Sequence, residues 1–362
     1  MIRYLEEFRN KNAARSLTAT IRELAPERPR FFMEICGGHT LTAVKFGLHG
    51  LLPETLTLKS GPGCPVCVTS QEYIDTALLI SREPGVIMTS FGDMMRVPGS
   101  STSLLKEKAA GRDIRICLSP RDAVRIAAEH PDRQVVFLGI GFETTAPTVA
   151  MAVKEANARG LSNFTVFSAL KTMPEAMRAL LSGGKLTLDG FICPGHVTAV
   201  TGTRIYEPIT REFGTPCVVS GFEPTDMLAA LVLLLQQLRE GRADVEIQYT
   251  RVVRPEGNPF ARGVLEEVFQ PADAAWRGLG TIPGSGLAFT DVFRSFDAAS
   301  RFQVAPPPAR EHPGCRCGEI MRGTATPEAC PLFKKSCTPE NPIGACMVSA
   351  EGACGIYYRY AG

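Results

Sequence analysis

The sequence predicts an α/β protein built as two similar Rossmann-like α/β/α domains facing a cleft, with a small loop-rich segment at the C-terminus. Three observations lead there. Short, nearly continuous apolar runs alternate with helical stretches from residue 31 to about residue 240, the pattern of parallel strands covered on both faces. Two of those runs end in the same Cys-x-Gly-His sequence, at Cys36–His39 and Cys193–His196. Six of the twelve cysteines crowd into residues 315–354, where long apolar runs are few.

Taken in order, Leu5, Phe8, Ala13 and Ile21 among Arg and Glu make an amphipathic first helix that Pro26 and Pro29 end. Strands are expected at 31–35, 85–89, 114–118 and 135–140, with helices such as Glu72–Ser81 and Arg121–Glu129 between them. A second series follows at 164–167, 190–193 and 216–220. The length, 362 residues, accommodates two such units. The domains are therefore placed at 31–150, with Cys36 and Cys64/Cys67; at 151–240, with Cys193 and His196; and at 1–30 together with 241–362. The repeated Cys-x-Gly-His, followed each time by Thr and an Ala-Val pair, reads as an internal duplication, with chance resemblance of two short loops as the alternative. Each loop would then sit at the carboxyl end of a strand, where open α/β sheets bind ligands. From about Val245 the pattern changes to Gly/Pro-rich connections, among them 255–259 and 306–308.

Composition narrows the function classes. Lys and Arg number 39 against 37 Asp and Glu, a net charge of +2, so no broad field points to nucleic acid or an anionic membrane. Hydrophobic residues make up 44%, which argues against disorder. The longest apolar run, Met227–Leu235, is about half a membrane span and follows Pro224-Thr225-Asp226, so it reads as a buried helix. Residues 1–7 carry acid early and lack a signal-peptide core. A cytoplasmic location is expected, and there clustered cysteines serve as metal ligands or redox groups rather than as a disulfide frame.

In the tail, Cys315, Cys330, Cys337 and Cys354 are separated by fourteen, six and sixteen residues, with Cys317 and Cys346 between them. Zinc and iron–sulfur clusters both accept four thiolates. Zinc favours two close pairs, whereas only Cys315-Arg316-Cys317 is close here, so a [4Fe–4S] cluster is the better reading and zinc the alternative. Gly61-Pro62-Gly63-Cys64-Pro65-Val66-Cys67 holds a Cys-x-x-Cys among turn residues. Two thiols at that separation can close a disulfide, and a helix opening after Val68 would favour a thiolate; half a zinc site is the competing use. Cys36-Gly37-Gly38-His39 offers a thiol and an imidazole around glycines that admit close approach, though such a pair is as readily structural, and so is His196. Gly139-Ile140-Gly141-Phe142-Glu143-Thr144-Thr145 lacks the third glycine of a dinucleotide loop and reads better as a strand-to-helix turn capped by Thr.

Together these segments resemble the [NiFe]-hydrogenase maturation factor HypD family. The resemblance rests on Cys36–Thr40, Gly61–Cys67, Cys193–Val197, Gly221-Phe222-Glu223-Pro224, and the tail from Cys330-Pro331-Leu332-Phe333 through Cys337-Thr338-Pro339 and Cys346-Met347-Val348-Ser349 to Glu351-Gly352-Ala353-Cys354. It covers nearly the whole chain. It implies an iron–sulfur scaffold that joins a small HypC-type chaperone and holds iron while two cyanides and one carbon monoxide are attached. Cyanide would come from a HypE-type thiocyanate donor, and the Fe(CN)2CO unit would go on to the hydrogenase large subunit. By family motif Cys36 would bind that iron, Cys64 and Cys67 would be a redox pair, and Cys315, Cys330, Cys337 and Cys354 would hold the [4Fe–4S] cluster, with Cys317 the competitor for the first position. His39 and His196 would face the cleft from the two domains, hydrogen-bonding the diatomic ligands or moving protons. Such a protein is a metallocluster assembly scaffold more than a conventional turnover enzyme. The competing classes are an iron–sulfur oxidoreductase acting on a diffusible disulfide or thiol, and a zinc-stapled binding protein.

Overall fold

The computed structural model describes residues 8–184, 187–306 and 308–361. Leu5 of the expected first helix, the N-terminal residues 1–7 and Pro307 lie outside them. The first helix, Lys11–Leu24, starts at Asn10, whose side chain accepts from the Asn12 and Ala13 amides, and ends before Pro26. It buries Ile21 against a second helix, Pro224–Glu240. That helix is the apolar run read as buried: Met227, Leu228, Leu231 and Leu234 are all fully enclosed, each contributing roughly 1.5–3 kcal/mol. Among the described residues no helix is long and apolar enough to cross a membrane.

The predicted strands form. The strands β1 (Arg30–Glu34), β2 (Leu56–Ser60), β3 (Val86–Ser90), β4 (Ile114–Ile116), β5 (Gln134–Gly141), β6 (Phe164–Leu170), β7 (Gly190–Pro194), β8 (Cys217–Ser220) and β9 (Val245–Ile247) make two parallel sheets. Every residue of β3 and β7 is buried, which is why their sequences run apolar without alternation. The expected helices at 72–81 and 121–129 appear as Gln71–Ile80 and Pro120–Glu129.

The sheets do not divide the chain at residue 150. One sheet has the order β2-β1-β7-β8-β9 and the other β4-β3-β5-β6. The chain leaves the first sheet after β2, builds the second completely, and returns at β7. β6 pairs with β5 along its whole length, from Val135↔Phe164 to Gly141↔Leu170. β1 instead pairs with β7, Phe32 opposite Gly190 and Glu34 opposite Ile192. The two Cys-x-Gly-His loops therefore follow neighbouring strands of one sheet rather than facing each other from two domains.

Residues 269–289, read as part of a connecting region, form an antiparallel hairpin, β10 (Phe269–Trp276) and β11 (Gly280–Phe289). Beyond it the segment is loop-rich, with short helices at Ala298–Arg301, Cys317–Met321, Ala345–Val348 and Ala353–Tyr360 and 3-10 turns at Asp291–Phe296 and Pro327–Ala329. One continuous apolar cluster joins Met33 and Cys193 of the first sheet, Met88 and Leu138 of the second, and Cys346 and Met347 of the tail.

Candidate functional site

The first sheet changes direction between β1 and β7. From β1 the chain proceeds outward to β2, and from β7 it proceeds the other way to β8. Their carboxyl-end loops part there and leave the crevice in which open parallel sheets bind ligands. Cys36 follows β1 as the N-cap of the helix Gly37–Lys45. His196 follows β7 in the first turn of Gly195–Thr201. Their side chains meet, Cys36 Sγ lying 3.9 Å from His196 Nε2. The thiol is buried while the imidazole is exposed, so the pair opens toward solvent on the histidine side.

His39 lies beneath this pair. Its ring is fully buried, stacked 4.6 Å from Phe222, which also lies 4.9 Å from His196. Nε2 donates to the Gly221 carbonyl at 3.0 Å, so the neutral ring carries its lone pair at Nδ1, which has no protein partner. Burial, with His196 adding to it, pushes the His39 pKa down to about 4. His39 thus sits as a neutral support for the Phe222 platform.

Glu34 was not singled out from the sequence, although a carboxylate inside the run Phe31-Phe32-Met33-Glu34-Ile35 is a signal. It accepts from the Cys36 amide at 3.1 Å and from the Thr40 hydroxyl, tying the thiol's own backbone to the strand. Burial pushes it up to about 8. Burial also pushes the Cys36 thiol up, reinforced by Glu351 and opposed by the Gly38 and His39 amides. A metal ion would have to displace that proton on binding.

The Gly61–Cys64 loop presses directly on Cys36. A Cβ on Gly63 would stand 2.3 Å from Cys36 N and Cα, and the Gly37 amide donates to the Gly63 carbonyl at 3.2 Å. Cys64 and Cys67 form a disulfide with Cα atoms 5.2 Å apart. The expected helix after Val68 differs in detail: Cys64 caps a single turn, Pro65–Val68, and a new helix begins at Gln71 with Ser70 as its cap.

In the tail, Cys317, Cys330, Cys337, Cys346 and Cys354 are buried and Cys315 is half-buried. Cys315, Cys317, Cys346 and Cys354 lie close enough to shift one another's thiols, and Cys337 is close enough to Cys315 and Cys317 to be shifted by them. The neighbouring Cys317 and Cys346 thiols, together with burial, push Cys354 up, and the Cys317 and Cys354 thiols beside it pull Cys346 down. Of the four residues suggested by spacing, Cys315, Cys337 and Cys354 belong to this group. The Cys330 thiol turns to the Gly314 carbonyl at 3.7 Å, while Cys317 and Cys346 stand at the centre. Among the described residues no His/Cys/Asp/Glu group is spaced as a finished metal cage. The donor set nonetheless suits an iron–sulfur cluster: soft sulfur converging in a dry pocket. Gly344 faces it, and a Cβ there would lie 2.5 Å from Cys317 Sγ and 2.8 Å from Cys315 Sγ.

These sulfurs connect to the rest. A cavity of about 10 Å³, room for roughly one water, is lined by Gly37, Thr40, Cys64, Cys67, Cys346 and Glu351 among others. The Cys36 loop, the disulfide and Cys346 thus meet around one cavity, and Gly37 also packs directly on Glu351 of the tail. Cys193 stays outside it, wholly buried beside Cys217 on β8. The Gly139–Thr145 segment is the strand-to-helix turn expected, leading into Ala146–Ala158, but the Thr145 hydroxyl makes no capping bond.

A family model for HypD, described as the hydrogenase formation hypA family, matches residues 12–361. The chain is 45% identical over 367 residues to the hydrogenase maturation factor HypD of Azotobacter vinelandii, covering 99% of this chain and 97% of that protein. It is 45% identical over 367 residues to the hydrogenase expression/formation protein HupD of Azotobacter chroococcum mcd 1, with the same coverage. Against the hydrogenase maturation factor HypD of Escherichia coli K12 the identity is 45% over 366 residues, covering 99% and 98%.

Proposed function

The chain belongs to the HypD family of hydrogenase maturation factors, and from that premise we propose that it is the scaffold on which the iron of a [NiFe]-hydrogenase acquires its cyanide and carbon monoxide ligands. It would act with a small HypC-type chaperone and a HypE-type cyanide donor, in the cytoplasm, and pass the Fe(CN)2CO unit toward the hydrogenase large subunit.

The observation that carries this reading is the juxtaposition of Cys36 with His196 at the switch point of the sheet, 3.9 Å apart, directly beside a closed disulfide. The iron is the substrate. Cys36 would bind it as a thiolate, soft enough for the low-spin Fe(II) that cyanide and carbon monoxide favour. Glu34 fixes the Cys36 amide, and His39 with Phe222 backs the crevice from beneath. His196, on the open side, is placed to hydrogen-bond the incoming ligands.

Releasing cyanide from a thiocyanate consumes two electrons. The Cys64/Cys67 dithiol can supply both: the S–CN bond breaks, the donor leaves as a thiol, cyanide takes up the second proton, and Cys64–Cys67 closes as a disulfide. Reopening that disulfide requires two electrons, and a [4Fe–4S] cluster, when bound, delivers them one at a time. Cys315, Cys330, Cys337 and Cys354 are its proposed ligands. Cys346, which shares a cavity with the disulfide, would stand between cluster and disulfide as electrons pass from one to the other.

The test is anaerobic co-purification with the chaperone from cells grown on isotopically labelled iron, followed by Mössbauer spectroscopy. The expected spectrum holds a low-spin ferrous component besides the cluster, and Cys36→Ala removes that component alone. A spectrum in which Cys36→Ala leaves the component unchanged would reject the assignment.

A further inference from the structure

Arg277 occupies the turn between β10 and β11, a position where arginine is ordinarily solvated, yet it is only 6% exposed. Its amide donates to the Val68 carbonyl at 2.8 Å, and Nε donates to Thr69 O at 2.9 Å. Nη1 is shared between Gln71 Oε1 at 3.0 Å and Glu311 Oε1 at 3.3 Å. The turn is also pinned on its far side. Gly278, at φ +77°, meets Gly318 so closely that a Cβ would lie 2.3 Å from Gly318 Cα, and the Arg322 guanidinium donates to the Gly278 carbonyl. The hairpin tip thus bridges the end of the Cys64–Cys67 turn and the segment that carries Cys317.

One donor remains. Among the described residues Arg277 Nη2 is buried without a partner, and leaving a buried charged donor unpaired costs more than the roughly 1–3 kcal/mol of a neutral one. The turn that carries it packs on Gly318, the residue after Cys317, so the guanidinium is held between the disulfide turn and the cysteine-bearing tail. Among the described residues the charge paired with it is Glu311, which lies half in solvent and offsets little of it.

We infer that Arg277 is a positioning residue for the iron–sulfur cluster, holding an N–H donor and a fixed positive charge toward its sulfurs and thereby favouring its reduced state. The inference rests on the reading that the tail cysteines hold such a cluster. On one-electron reduction the cluster gains one negative charge and no bond breaks. A buried cation beside it stabilises the reduced form, since hydrogen bonds to sulfur and local charge set cluster potentials. The same side chain grips the Cys64–Cys67 turn, so cluster and disulfide are held in fixed register.

The experiment is an anaerobic potentiometric titration of the full chain with dithionite, read by the paramagnetic resonance of the reduced cluster, with iron and sulfide assayed in each sample. Arg277→Gln at full iron content is expected to shift the reduction equilibrium about tenfold toward the oxidised form, 59 mV for a one-electron couple. Glu311→Gln, on the exposed side, frees the arginine's charge and shifts it the other way by a smaller factor. An unchanged potential in iron-replete Arg277→Gln would overturn the inference. If that variant fails to hold iron, Glu311→Gln decides: an upward shift supports the inference and none overturns it. A wild-type chain without iron and sulfide would remove the cluster reading itself and this inference with it, an outcome distinct from a cluster of unchanged potential.

Discussion

Cys36 and His196 are separated by 160 positions and stand 3.9 Å apart, because the strands that end in them, β1 and β7, are neighbours in one parallel sheet. The contact lies where the sheet changes direction, so both side chains reach a crevice that the topology itself opens. The thiol is buried and the imidazole exposed.

His196→Ala should keep the fold and the tail's iron and sulfide while weakening retention of the extra iron about 10- to 100-fold, the usual cost of losing a group that supports a ligand. Iron retained through gel filtration with the chaperone is the measurement. Retention equal to wild type would remove His196 from the site.

Cys193→Ala separates the two Cys-x-Gly-His loops by function. Cys193 is wholly enclosed beside Cys217, so the change should cost about 1 kcal/mol of stability and leave metal content untouched. Loss of the extra iron in this variant would show that both loops bind it.

Cys346→Ser tests the path between cluster and disulfide. With the cluster on Cys315, Cys330, Cys337 and Cys354, the variant should retain iron and sulfide but reduce Cys64–Cys67 more slowly under dithionite, as followed by thiol labelling. Loss of iron instead would make Cys346 a ligand, in keeping with its central place among the tail thiols.

Glu143 gives a pH dependence away from the metal. Its Oε1 accepts from the Met173 amide at 2.8 Å while Oε2 is buried without a partner, and burial pushes its pKa from 4.5 up to about 7. A carboxyl raised on folding binds more protons in the native state, so its contribution is intact below pH 4.5 and is lost as pH rises to about 7. Glu143→Gln mimics the protonated form. It should match wild type near pH 4.5 and exceed it above pH 7 by about 3 kcal/mol, at about 1.4 kcal/mol per unit. Denaturant midpoints of the two proteins that stay parallel across this range would contradict it.

Local apolar runs such as Val135–Ile140 and Phe164–Phe167 announced their strands because burial on both faces demands continuous hydrophobicity. Pairing left no such mark. That β6 stays with β5 while β7 returns to β1 depends on contacts spread over 160 residues, and so the boundary drawn at residue 150 did not match the sheets. The repeated Cys-x-Gly-His contains two residues that meet in the structure, Cys36 and His196, but suggested two facing domains where neighbouring strands of one sheet carry both loops. The hairpin at 269–289 was missed because Pro271, Ala272 and Gly284 weaken any strand signal. Arg277 carried no signal at all, since only the docking of the tail against its turn makes that arginine buried.

The most direct measurement is the infrared spectrum of the complex with the small chaperone, taken for wild type and Cys36→Ala side by side. The account predicts metal-bound cyanide and carbon monoxide bands in the wild type, absent in Cys36→Ala at equal iron–sulfide content. Bands that persist in Cys36→Ala, or a wild-type complex with a full cluster and no bands, would contradict it.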